Sequence, residues 1–197
     1  TRKEMTRMLL KEGLLSCLAN NSFESVTVTS LCKASGITRS TFYLHYSNIM
    51  EIVDDLVDDA IAYSKPGMVD NNNLQTIANT LSAASNSVSL REAYDSIFDR
   101  LPLCQRIIRH KKYLPLFLDE QISEYVLQRI IGSEKDRQGL VMAEALGISF
   151  DVGVSVFVFL VHGLYAINKE YKWTQSDEWL EAQKVIFELV YRGLQSK

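Results

Sequence analysis

Residues 26–46, VTVTSLCKASGITRSTFYLHY, decide how this chain is read. Thr27 offers an N-cap hydroxyl to a segment whose apolar positions, Val28 and Leu31, share one helix face. Gly36 follows as a residue that takes the left-handed conformation ending a helix. Thr38 caps a second helix, and Ile37 stands where a hydrophobic staple would meet Phe42. Phe42 and Tyr46, four apart, share a face and are expected in the core. The other face carries Arg39, Ser40, Thr41, Tyr43 and His45, groups able to bond phosphates and base edges. Two helices around a short glycine turn, the second polar outside, predict a helix-turn-helix.

Outward from that motif the signals are helical throughout, so the expected fold class is all-α. The periodicity predicts a first helix over about 2–19, with Met5, Met8, Leu9, Leu15 and Leu18 facing inward. A fourth helix is expected over about 49–63, ended by Pro66-Gly67, with a loop over 70–73. Further helices are expected over 74–84 and 90–101, the second kinked at Pro102 and continuing its apolar face to Ile108. Pro115 suits the first turn of a helix reaching about 131. A polar connection over 132–139 and a short helix over 140–146 follow, then two long helices over 151–171 and 177–194. The division expected is 1–47 as the motif domain, 48–64 as a connecting helix and 65–197 as a larger helical domain. The apolar run from Val152 to Tyr165 is too short to span a bilayer, so no membrane partner is expected.

The net charge of −3 hides an uneven distribution. Residues 1–47 hold six basic side chains against three acidic, whereas residues 48–64 hold five acids and no base. A basic head on an acidic body suits a chain that presents one end to nucleic acid. Asp54, Asp55, Asp58 and Asp59 have a spacing open to a metal, but without a nearby histidine they are expected to form a solvated helix face. Three unpaired cysteines, Cys17, Cys32 and Cys104, are read as buried thiols of a reduced cytoplasmic protein. No signal peptide is evident, and the start at Thr1 implies a few native residues ahead of it. Three scattered histidines, no Gly-rich phosphate loop and no GxSxG leave nothing to build catalysis on. No enzyme activity, cofactor or metal is expected.

The order Leu18-Ala19-Asn20, Phe23, Val26-Thr27-Val28, Leu31-Cys32, Ser35-Gly36-Ile37 and Ser40 through Tyr46 resembles the tetracycline-repressor-like (TetR-like) family of bacterial transcriptional regulators. The resemblance covers about the first 60 residues. It implies a three-helix DNA-binding domain, a larger C-terminal helical regulatory domain, a double-stranded DNA operator as partner, and a repressor released by a small-molecule inducer. It further implies that Tyr43 and His45 bond phosphates, and that Thr29, Arg39, Ser40, Thr41 and Leu44 face bases. Arg39 is the candidate for a bidentate guanine contact and Leu44 for thymine methyls. Thr27 is first a cap, and a phosphate contact from the same helix start is compatible with that role. One departure is clear: where the family pattern places a lysine three residues after the aromatic matching Tyr46, this chain has Ile49. The Ser47 hydroxyl and the helix start then stand as the remaining phosphate anchors there.

In the family the last two helices of two subunits form a four-helix interface. The resemblance extends this to a homodimer through Phe157, Leu160, Leu164, Phe187, Val190 and Leu194, with Phe159 and Ile186 beside them. Phe98, Phe117, Tyr125 and His162 are the candidate inducer pocket; the same residues are equally an ordinary helical core. The alternative to a DNA-binding regulator is a helical ligand-binding or interaction protein that has lost DNA binding, a reading that Ile49 keeps open.

Overall fold

The structure is a computed structural model that describes residues 1–64 and 73–195, and these are all-helical. The expected stop at Pro66-Gly67 lies outside the described residues, as do positions 70–72 of the expected loop. The α-helices are α1 (Arg2–Leu18), α2 (Val28–Ser35), α3 (Arg39–Tyr43), α4 (Ile49–Ser64), α5 (Asn73–Ser82) and α6 (Ser87–Ser96). They continue as α7 (Leu103–Arg109), α8 (Leu114–Leu118), α9 (Ser123–Leu146), α10 (Phe150–Glu170) and α11 (Asp177–Gln195).

The chain forms two compact units. The first comprises Thr1–Ser64 with Ile107–Ile130, and the second Lys65–Arg106 with Ile131–Lys197. The sequence division at 47 and 64 had no means of placing residues 107–130 with the N-terminal helices. In the first unit the core is Leu10, Leu14, Leu31, Phe42, Ile52, Leu56, Leu116 and Phe117, each 1% exposed or less. The inner stripe of α1 is therefore Leu10, Leu14, Leu15 and Leu18. Met5, Met8 and Leu9, expected inside, are exposed because the stripe begins one turn later.

The second unit packs Ile77 and Leu81 of α5, Leu90 and Tyr94 of α6, Leu164 of α10, and Trp179, Leu180 and Phe187 of α11 into one cluster. Tyr94 meets Trp179 edge to face at 5.2 Å, and the Trp179 indole donates to Asn168 Oδ1 at 2.9 Å. Asn86 caps α6 three residues earlier than expected, and no kinked helix crosses Pro102: Leu101 is extended and α7 starts afresh at Leu103.

The polar stretch 132–139 is helix, not a connection, and α9 runs unbroken for 24 residues. Ser-Glu-Lys-Asp-Arg-Gln contains good helix formers and no proline, so solvation of its surface costs the helix nothing. Gly139 and Gly153 let α9 and α10 touch: a side chain on Gly139 would run into Val154, and one on Gly153 into the Gly139 carbonyl. The 21-residue α10 is longer than the apolar run seen in sequence, and by length and composition it is sufficient to cross a membrane. Its Gly153, Phe157, Val161, Leu164, Tyr165 and Asn168 are buried in the second unit, while Val152 and Phe159 are exposed.

Candidate nucleic-acid interface

Local chemistry builds the α2–turn–α3 segment. Thr27 Oγ1 accepts from Ser30 N at 3.1 Å and Ser30 Oγ accepts from Thr27 N at 2.9 Å, a reciprocal cap on α2. Gly36 ends the helix at φ 67°, and Ile37 N reaches back to the Cys32 carbonyl at 3.0 Å. Thr38 Oγ1 then accepts from Thr41 N at 3.2 Å to start α3. Phe42, wholly buried, anchors α3 to the unit's core.

Anchoring Phe42 in a five-residue helix leaves Arg39, Ser40 and Tyr43 outward and Thr41 half-buried. Arg39 and Ser40 are exposed, Tyr43 is 54% exposed and Leu44 is 81% exposed. Thr29 and Thr27 are exposed at the start of α2. The Ser40 and Thr41 hydroxyls both lie within hydrogen-bond distance of Thr38 Oγ1, at 3.0 and 2.8 Å, so any base contact they make competes with the cap. The second helix is shorter than the sequence suggested. It closes at Tyr43, and His45 lies in the following turn, half-buried, with no partner for Nδ1 among the described residues.

The four aspartates of α4 are partly solvated, with Asp58 and Asp59 exposed, but all four are engaged by cations. Asp55 accepts from Arg7 and, at 2.6 Å, from the Tyr46 hydroxyl; Asp59 pairs with Lys11. Arg129 forks onto Asp54 at 2.6 Å and Asp58 at 2.7 Å, and the Tyr125 hydroxyl also donates to Asp54. Burial pulls the Asp55 carboxyl upward, but the Tyr46 hydroxyl and the Arg7 guanidinium outweigh it and hold it below the ordinary aspartate range. Desolvation and then the Asp55 hydrogen bond push the Tyr46 phenol up. This pairing also alters the basic head, because Arg7 and Lys11 face carboxylates rather than presenting bare charge. Lys33 and Arg39 are the exposed cations of α2 and α3.

At the start of α4, Ser47 N donates to Glu51 Oε2 at 2.8 Å and Glu51 N to Asn48 Oδ1 at 3.1 Å. The Ser47 amide beside Ile49 thus already holds a carboxylate, whereas the phosphate anchor expected of this exposed residue is its hydroxyl. Ile49 itself is half-buried.

The other expected site residues are distributed as follows. Phe117 and Tyr125 belong to the first unit, Phe98 and His162 to the second, so neither unit contains the candidate pocket as a set. Phe117 is core, and Tyr125 is an exposed side chain committed to Asp54. Of the expected dimer contacts, Phe157, Leu164 and Phe187 are buried within the second unit, Leu160 and Val190 are half-buried, and the side chain of Leu194 lies outside the described residues. The large apolar groups that α10 and α11 do expose among the described residues are Phe150, Val152, Phe159, Val185 and Leu189. Periodicity had identified the faces but not which of two adjacent stripes turns inward. Among the described residues no group of three or more His, Cys, Asp or Glu could hold a metal ion. Comparison of the chain with family models, with curated proteins and with solved structures finds no match in any of the three.

Proposed function

We propose that this chain is a cytoplasmic, sequence-specific DNA-binding transcriptional regulator that acts as a homodimer, its first unit carrying a helix-turn-helix of α2 and α3. The observation that carries the reading is the outward presentation of Arg39 and Tyr43 on a short helix held by Phe42 and capped by Thr38, with Leu44 exposed at its C-cap. A guanidinium and a phenol on one face, with an apolar tip beside them, suit a guanine edge, a phosphate and a thymine methyl. The reading includes repression relieved by a small inducer in the larger helical unit.

Homodimerisation is assigned to the exposed stripe of Phe159, at 74% exposure, with Val152, Val185 and Leu189. A second copy covering its own equivalent stripe satisfies two-fold symmetry and sets two half-sites about one helical turn apart. Phe159→Glu should give a folded monomer, whereas Phe187→Glu should unfold the second unit; sedimentation and circular dichroism separate the two.

Selection of bound fragments from genomic DNA at low salt tests the reading. A palindromic motif should be enriched, with binding that weakens steeply as salt rises. Arg39→Ala should lower discrimination by about 1–3 kcal/mol. One specific set of observations favours the other reading, a helical interaction protein without DNA binding. Arg7, Lys11 and the Ser47 amide are all engaged by carboxylates of α4. Enrichment of no motif would decide for that reading.

A further inference from the structure

Residues far along the chain grip the lead-in to α2. Between α1 and α2 the chain makes a short turn, Phe23–Ser25, whose backbone must leave at a fixed angle for α2 to start at Val28. The Phe23 N–H donates to Asp119 Oδ2 at 2.6 Å, across 96 residues of sequence. The other oxygen, Oδ1, accepts from Gln121 N at 3.0 Å and Ile122 N at 3.2 Å and so caps the approach to α9. Asp119 is 8% exposed, and beside it the Gln121 amide donates to Glu24 Oε2 at 3.0 Å. One nearly buried carboxylate thus serves both the start of α9 and the turn before α2, and each of its oxygens has a separate task.

We infer that Asp119 is a positioning residue for the α2–α3 pair: its Oδ2 fixes the Phe23 amide and with it the angle at which α2, and then α3, is presented. This rests on the DNA-binding reading for its functional consequence but not for its structural one. Arg129 acts in parallel on α4 through Asp54 and Asp58, so the segment from Asp119 to the second turn of α9 holds both flanks of the pair. Displacing the start of α9 would therefore reach the outward row on α3 without any contact to it.

Asp119→Asn isolates the effect. The asparagine oxygen can keep the cap on Gln121 and Ile122, and the NH2 then faces the Phe23 N–H, a donor against a donor. Turning the amide over would sacrifice two bonds to regain one. Amide hydrogen exchange on the full chain should show Phe23 exchanging about tenfold faster. The amides of residues 28–43 should follow, with residues 121–123 protected and α6 unchanged. Affinity for a fragment selected by the wild-type protein should fall about tenfold. Wild-type exchange at Phe23, or acceleration of α6 to the same degree, would overturn the assignment. If the wild type selects no fragment the DNA reading fails, and the exchange pattern still decides whether Asp119 holds the pair.

Discussion

The unit containing α1–α4 adds a set of cross-helix ion pairs to its apolar core, whereas the unit of α5, α6, α10 and α11 is joined mainly through apolar surface. In the first, α4 places acids on two sides and meets Arg7 and Lys11 from α1 and Arg129 from α9. In the second, Trp179, Leu180 and Phe187 of α11 fill the space left by Ile77, Leu81, Leu90 and Tyr94. Half-exposed ion pairs are individually weak and screened by salt. Buried aromatic area is neither. The two units should therefore respond differently to pH, salt and truncation, and that difference can be probed residue by residue.

The largest effect belongs to the apolar unit. Trp179→Ala removes a side chain that is 1% exposed, opens a cavity and strands the Asn168 oxygen. A loss of about 3–5 kcal/mol in urea unfolding is expected, constant across moderate pH. A loss under 1 kcal/mol would mean that the unit does not depend on this cluster. Next comes a gain in the same unit. Gln183 is wholly buried on the inner face of α11, and neither amide atom has a partner among the described residues. Gln183→Leu, close in volume, should stabilise by about 1–3 kcal/mol, seen as a raised melting temperature. A lowered one would show that the amide is satisfied in solution.

The charged unit should show its signature in pH. Asp55 has a depressed pKa when folded, so its contribution is present above the unfolded aspartate value of about 4 and disappears as pH falls through the folded value. Asp55→Asn should be less stable than the wild type at pH 7, with the gap closing under acid. The Trp179→Ala gap should not close. Parallel curves for both variants would erase the contrast between the units.

What the sequence revealed follows the range of the forces involved. Thr27, Gly36 and Thr38 could be assigned as caps because each acts within four residues, where the turn chemistry is written in the sequence itself. The exposure of Arg39, Tyr43 and Leu44 followed from one buried neighbour, Phe42. The pairing of Asp55 with Arg7 and of Asp54 with Arg129 spans 48 and 75 residues, and spacing alone could not distinguish it from a solvated acidic face. The same holds for Asp119, whose role depends on a turn nearly a hundred residues away. On α10 and α11 the apolar residues surround the helix on several sides. Periodicity therefore gave the helices but not the inward stripe, and Phe187 was assigned to a partner when it belongs to the core.

The smallest effect is expected where the two kinds of chemistry meet, at the first turn of α4. Glu51 accepts the Ser47 N–H at 2.8 Å, placing a negative charge at a helix start beside Ile49, where a phosphate would otherwise be favoured by the helix dipole. Glu51→Gln keeps an acceptor for that amide and removes the charge. The protein should lose some helix stability, about 0.3–1 kcal/mol, because the acid complements the dipole. DNA affinity should move the other way, roughly two- to fivefold tighter at low salt, since one charge several ångströms from a phosphate is worth under about 1 kcal/mol in water. The gain should vanish at high salt as screening shortens its reach. Titration of a selected operator fragment at two salt concentrations measures it. Weaker binding by Glu51→Gln at low salt would mean that Glu51 holds Ser47 in the geometry the phosphate needs, and that the carboxylate is part of the anchor rather than its competitor.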